Sequence, residues 1–227
     1  IVFSAPLAPG TPPPPPPPEQ DEEELEEAQR ALGAAIRTND PVQAREAIDA
    51  GADVDAAVFE VARGGVLREG LGFDRCSVAV VTNIGSGDHL GLNYITTVED
   101  LAVLKRVVVR NVAPGGYAVL NAADPNVAAM ATNCPGEVIF FAADRQHPVM
   151  ATHRAQGKRT VYVDQDTVVA AEGSWRERIS LRDVPITRGG SIGFQVDNVM
   201  AAVAAAWAVG LDWDTIRSGL ASFLNDA

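Results

Sequence analysis

Cysteine is scarce: the chain has two cysteines in 227 residues, too few for a disulfide framework and without the paired spacing of a metal site. Cys76 and Cys134 are expected instead as small, buried, apolar residues. Basic residues are also in deficit, 18 against 30 acids for a net charge of −12, which argues against nucleic-acid binding by phosphate neutralisation. No apolar run reaches the ~20 residues of a membrane span, so no membrane partner is expected. Ile1–Pro9 has neither the basic start nor the long apolar centre of a signal peptide. The sequence does not begin with Met, and a fragment or processed product is the expectation, with a cytoplasmic setting as the default.

What is present divides into three parts. Residues 1–18 end in seven consecutive prolines, Pro12–Pro18. Proline removes backbone donors and fixes φ, so this stretch reads as a disordered, extended tail. No basic residue flanks the prolines, which favours a spacer over a ligand for a peptide-binding module. Residues 19–53 form a helical, acidic arm. Glu19–Arg30 holds seven acids and one base, and Leu25, Ala28, Leu32 and Ile36 recur at helical spacing, predicting a helix over Glu19–Ile36 with a solvated acidic face. From Leu32 to Ala56 the chain also reads as an ankyrin-like unit, with Asp40-Pro41 opening a helix and Gly51 ending it. The alternative makes Gln43–Ala56 the helix and turn leading into the next strand. A single ankyrin-like unit cannot bury its own face.

Residues 54–227 carry the core. The periodicity predicts strands at Ala56–Val61, Val78–Asn83, Tyr117–Asn121 and Val138–Ala142, followed by antiparallel runs at Thr160–Val163, Thr167–Ala171, Arg178–Ser180 and Val184–Thr187. Helices are predicted at Val98–Val112, Pro125–Thr132, Val196–Val209 and Trp213–Phe223, the last capped by Asp212. Alternating strands and helices give an α/β fold: a mostly parallel sheet with helices on both faces and a small antiparallel extension. The first two runs, Ala56–Val61 and Val78–Thr82, are continuous and apolar, and read as neighbouring buried parallel strands. Ligands bind at the carboxyl ends of such strands. There the chain places Glu60 and Arg63-Gly64-Gly65 after the first run. After the second come Thr82-Asn83, the turn Gly85-Ser86-Gly87, and Asp88-His89.

Residue chemistry alone leaves these positions open. A lone glutamate after a strand serves as a surface or capping group as well as a ligand, and a lone histidine likewise. Lys105, with Arg106 and Arg110 beside it, suits a solvent-facing helix surface. Arg63 is either a surface arginine or an anion binder that Gly64-Gly65 allows a ligand to approach. Asn121 and Asp124 in LNAADP shape a turn and an N-cap, and Asn198 opens a helix.

Taken together and in order, VFEVARGGVLREGLGFDRCSVAVVTNIGSGDHLGLN, LKRVVV, GGYAVLNAADP and FQVDNVMAAVAAAWAVGL resemble the Mur ligase central domain, and within that superfamily the cyanophycin synthetase type. The resemblance spans roughly Val54 to Phe223. It implies an ATP-dependent ligase that forms an amide bond through an acyl phosphate, with ATP and Mg²⁺ as cofactors. It implies Glu60 and His89 as metal ligands and Lys105 as a carbamylated lysine bridging metal ions. Arg63 would bind an anionic group, and Asn83, Asn121, Asp124 and Asn198 would lie on the nucleotide, Asn198 on its adenine. Ala123 and Gln195 depart from the usual pattern. The implied substrate is an amino acid or peptide, by this likeness an aspartate/arginine polymer; a homo-oligomer is allowed. Mur ligases carry a GxxGK[ST]T phosphate loop ahead of the Glu60 strand, and none is found in residues 1–53. An ATP-grasp domain and a C-terminal lobe are also missing. The chain alone is therefore expected to be inactive, and the competing reading is a non-catalytic fragment or fusion serving as a scaffold or interaction protein.

Overall fold

A computed structural model describes residues 2–4, 22–38, 43, 46–47, 49–50, 56–85, 90–91 and 94–223. Its centre is one eight-stranded sheet in the order β2-β1-β3-β4-β5-β6-β7-β8. The strands are β1 (Val2–Ser4), β2 (Ala57–Phe59), β3 (Cys76–Val81), β4 (Val112–Asn121), β5 (Glu137–Asp144), β6 (Thr160–Asp164), β7 (Thr167–Glu172) and β8 (Trp175–Ser180). β3 to β6 pair in parallel. β1 is antiparallel to both its neighbours, and β7 to both of its own. β1 and β7 therefore run against the other six, which is the mostly parallel sheet that the alternation of elements predicts.

The continuous apolar runs follow from burial on both faces. Along β3, β4 and β5 one set of alternate residues, Val78, Val80, Val119, Ile139 and Phe141, packs on one side. The intervening set, Ala79, Val81, Ala118, Leu120, Phe140 and Ala142, packs on the other. Side chains alternate with a period of two, so a strand covered on both sides has no polar position left. The first side is covered by α6 (Gly193–Val209) and α7 (Trp213–Ser222). Beyond its first turns, which carry Gln195, Asp197 and Asn198, α6 is apolar all round, as a buried helix must be, and it ends on Gly210 at φ 94, a left-handed cap that glycine adopts without strain. The second side is covered by α3 (Val98–Arg110), α4 (Pro125–Ala128) and α5 (Pro148–Ala155).

Four expectations need correction. Ala56–Val61 and Val78–Asn83 do supply strands running in one direction, but they are not neighbours. Val2 pairs with both Phe59 and Ala79, and Phe3 with Val58 and Val78, so β1 separates them. An apolar run fixes burial and not its partner, and three residues of the segment read as a disordered tail fill the place. Residues 1 and 5–18, the rest of that tail, lie outside the described residues. Secondly, Val184–Thr187 is no strand: Pro185–Thr187 is a 3-10 turn. Pro185 fixes φ there, and the Thr187 hydroxyl is bonded to the carbonyls of Leu181 and Val184, which rolls the chain up. Thirdly, the predicted helix Pro125–Thr132 is one α-turn followed by the 3-10 segment Ala129–Asn133. Finally, two helices had no prediction: α2 (Arg63–Glu69) and α5.

The acidic arm is α1, Glu22–Thr38. Its Ala28, Leu32 and Ala35 form a small core with Ala47 and with Ala57 and Phe59 of β2. Gln43, Glu46, Ala47 and Asp49 are helical, whereas residues 39–42 and 51–55, where Asp40-Pro41 and Gly51 fall, lie outside the described residues. Cys76 is buried as expected, at 2% exposure, and burial pushes its thiol up to about 12. Cys134 is only half-buried.

Candidate functional site

A pocket of about 510 Å³ opens at the carboxyl edge of the sheet. Residues at the ends of β2 and β3 form two of its walls. With one strand between them, the two are separated by about 9.6 Å, twice the usual strand spacing. Val58, Glu60 and Val61 line it from the β2 side, and Val80, Val81, Thr82 and Asn83 from the β3 side.

Each remaining wall has a sequence cause. α2 starts at Arg63, separated from β2 only by residues 60–62, and Arg63 and Val66 line the same space. Gly64 and Gly65 lie inside this helix at ordinary φ; a Cβ on Gly65 would meet nothing within 4 Å, whereas one on Gly64 would meet the Arg68 guanidinium at 3.0 Å. α3 is set by a capping box: the Thr97 hydroxyl accepts from Asp100 N–H at 3.0 Å, and the Asp100 carboxylate accepts from Thr97 N–H at 3.1 Å. That start phases Leu101, Val108 and Val109 into the core, with Leu104, Lys105 and Val108 at the pocket. Asn198, in the second turn of α6, reaches the pocket from the opposite face of the sheet. Its Nδ2 donates to Gln195 Oε1 at 3.1 Å.

Glu60, Arg63, Asn83, Lys105 and Asn198 therefore come together from separate elements on both sides of the sheet. One carboxylate faces two cations, a balance suited to an anionic ligand. Thr82, Asn83 and Glu60 supply hard oxygen atoms. That donor set is compatible with Mg²⁺, which keeps several waters and takes one or two carboxylates together with substrate phosphates. Among the described residues no group of three His, Cys, Asp or Glu could hold a metal ion by itself. His89, together with the rest of the Ser86–His89 segment, lies outside the described residues.

Asn121 and Asp124 do not line the pocket. The Asn121 side-chain oxygen accepts from Ala123 N–H at 2.9 Å, closing a turn at the exit of β4. Asp124 does more. One carboxylate oxygen accepts from Asn126 and Val127 N–H at 2.9 and 3.2 Å, capping α4. The other accepts from Ile84 and Gly85 N–H at 2.7 and 3.0 Å. Burial opposes ionisation of this carboxyl, but the N–H groups of Gly85, Ile84, Val127 and Asn126 outweigh it and hold its pKa below the usual range. With about four lone-pair sites filled, the carboxylate is spent on protein. It acts on the pocket by fixing the turn that follows Asn83. Nothing in the sequence flags this tie, because its partners stand 39 and 40 residues apart.

The chain is similar to known proteins. The Mur ligase middle domain family matches residues 25–206. A cyanophycin synthetase of Synechocystis sp. is 45% identical over 77% of this chain and 20% of its own length. A UDP-N-acetylmuramoylalanine–D-glutamate ligase of Pelotomaculum thermopropionicum is 32% identical over 66% of this chain and 29% of its own length. The chain thus spans about a fifth of the cyanophycin synthetases that it matches. A crystal structure of MurF from Acinetobacter baumannii aligns at a TM-score of 0.46 with 19% identity, covering 66% of this chain and 29% of that one. No described helix is long and apolar enough to cross a membrane.

Proposed function

The chain belongs to the Mur ligase middle domain family, and on that premise we propose that it is the nucleotide- and metal-holding part of an ATP-dependent ligase of the cyanophycin synthetase type, working in the cytoplasm. The observation that carries this reading is the meeting of Glu60, Arg63, Asn83, Lys105 and Asn198 in one pocket at the carboxyl edge of the sheet. The reaction joins a carboxylate to an amine. The carboxylate oxygen takes the γ-phosphoryl group of ATP and ADP departs; the amine then attacks the acyl phosphate and inorganic phosphate leaves. The substrate is an amino acid or peptide, by likeness an aspartate/arginine polymer.

Roles for the residues follow from their chemistry. Glu60 and His89 would hold Mg²⁺, with Thr82 and Asn83 oxygens nearby; the bound ion supplies neutralisation of crowded phosphate charge. Arg63 offers a planar fork of donors to a phosphoryl or carboxylate oxygen. Lys105 presents a cation as it stands. Carbamylated, it would present an anionic oxygen pair to the metal instead. Asn198 offers its carboxamide to the base, and Asp124 holds the turn beyond Asn83 in place.

One observation favours a second reading, a folded module without turnover. The GxxGK[ST] motif, whose backbone N–H groups cradle phosphates, does not occur in the sequence of residues 1–53. Calorimetric titration of the 227-residue chain with ATP and Mg²⁺ separates the two. Magnesium-dependent binding that is lost in Glu60→Ala and His89→Ala supports the nucleotide site, and weak or undetectable ATP hydrolysis is expected alongside it. Absence of binding supports the module without turnover, and binding unaltered in both variants removes the metal assignment.

A further inference from the structure

Asn198 and Gln195 are one helical turn apart on α6, and the hydrogen bond between them has a defined sense: Asn198 Nδ2 donates and Gln195 Oε1 accepts, at 3.1 Å. Asn198 borders the pocket. A carboxamide has two N–H donors and one acceptor oxygen. With one N–H held by Gln195, Asn198 keeps one N–H and Oδ1, a donor beside an acceptor. Phe194 stands four residues from Asn198, on the same side of the helix, and is 67% exposed. A large exposed ring next to a fixed donor–acceptor pair is the surface that a flat heteroaromatic ligand requires.

We propose that Gln195 is a positioning residue: it fixes the rotation of the Asn198 carboxamide and so sets which purine the pocket accepts. The inference rests on the nucleotide reading of that pocket. Adenine carries an acceptor, N7, beside the donor N6–H₂, and an asparagine meets the two together. Guanine carries two acceptors there, N7 and O6, so a pinned Asn198 would set Oδ1 against O6. If the pin is removed, the carboxamide turns freely. Adenine then loses a pre-set partner, and guanine is met by the NH₂ group alone with Oδ1 swung to water. Discrimination falls from both ends.

The test is calorimetric titration of the full chain with Mg-ATP and Mg-GTP, in wild type, Gln195→Leu and Gln195→Glu. Wild type is expected to prefer ATP by tenfold or more, the range of one good two-point base contact. Gln195→Leu removes the acceptor, and the ATP:GTP ratio of affinities is expected to fall at least fivefold. Gln195→Glu keeps an acceptor for Nδ2 and restores the ratio to within about twofold, which a merely structural role would not produce. ATP binding with an unchanged ratio in Gln195→Leu overturns the inference and leaves the nucleotide site standing. No binding of either nucleotide by wild type overturns the nucleotide reading itself, and this inference with it.

Discussion

Removal of the Asp124 carboxylate is the most informative perturbation, because it joins a helix cap to the turn beside the pocket. Asp124→Ala deletes four acceptor contacts: Asn126 and Val127 N–H on the helix side, and Ile84 and Gly85 N–H on the turn side. Loss of an N-cap costs about 1 kcal/mol. The turn side loses two charge-assisted bonds, worth roughly 1–2 kcal/mol together once partial exposure is allowed for. The sum is about 2–3 kcal/mol, or roughly 5–10 °C in melting temperature for a domain of this size. Asp124→Asn is the sharper variant. Asparagine caps helices as well as aspartate does, so the cap survives while an NH₂ group is turned towards two N–H donors, and the loss is about 1–2 kcal/mol.

The pH dependence has a fixed sign. The folded-state pKa of Asp124 is depressed, so its contribution is complete above the unfolded value near 3.9 and is lost as pH falls through the folded value. The stability gap between wild type and Asp124→Asn is therefore expected to be level from about pH 5 to 8 and to narrow below about pH 4. Urea unfolding followed by far-UV circular dichroism measures the gap. Tryptophan fluorescence is a useful second probe, because Trp175, Trp207 and Trp213 form one cluster with ring centroids 5.4–5.9 Å apart. Trp207 lies nine residues beyond Asn198, about 13 Å along the helix from the pocket, so its signal reports global unfolding and not the turn. Both variants unfolding within about 0.5 kcal/mol of wild type at pH 7, or a gap that stays constant into acid, would refute the reasoning.

Gly136→Ala is expected to abolish soluble folding or cost about 3 kcal/mol or more, since its Cβ would lie 2.2 Å from Gly116 O and 2.8 Å from Ala113 O; a melting temperature equal to wild type would show that β4 and β5 can part there. Thr187→Val keeps the shape of a fully buried side chain but removes the hydroxyl bonded to the Leu181 and Val184 carbonyls and to Gly190 N–H. The expected loss is about 2 kcal/mol, measured by chemical denaturation, and no loss would mean that the turn holds without it. Alkylation at pH 8 followed by mass spectrometry should modify half-buried Cys134 first and spare Cys76, which is 2% exposed with its thiol pushed up to about 12. Equal rates would contradict the packing of β3.

Legibility followed locality. β3, β4 and β5 were readable because burial on both faces leaves an unbroken apolar run, and α6 because an alanine-rich apolar helix has no other home than a buried layer. Element ends are less readable: β4 begins at Val112 and not at Tyr117, β3 spans Cys76–Val81 and not Val78–Asn83, and α6 begins at Gly193 and not at Val196. The pairing of those runs was not readable. Val2–Ser4 looks like part of a proline-rich tail until it is set between β2 and β3, because backbone N–H and C=O groups accept any extended partner and leave no side-chain signature. Gly64-Gly65 mask α2 because they lower helix propensity, and Val184–Thr187 reads as a strand because β-branched residues around Pro185 suit a strand as well as a turn.

This difference explains why the site was more legible than the topology around it. Glu60 and Asn83 stand where two apolar runs end, and their positions depend only on where each strand stops. Lys105 and Asn198 depend only on helical phase, set locally by Thr97–Asp100 and by the apolar face of α6. Such residues can be named without knowledge of which strand lies beside which. Asp124 is the opposite case: its N-cap role is local and visible in DPN, whereas its hold on Ile84 and Gly85 exists only once β3 and β4 are adjacent. The β2–β3 gap belongs to the same class. Its width comes from one intervening strand, so the spacing of these two pocket walls is itself a consequence of pairing, and the residues that stand on them are a consequence of strand and helix ends.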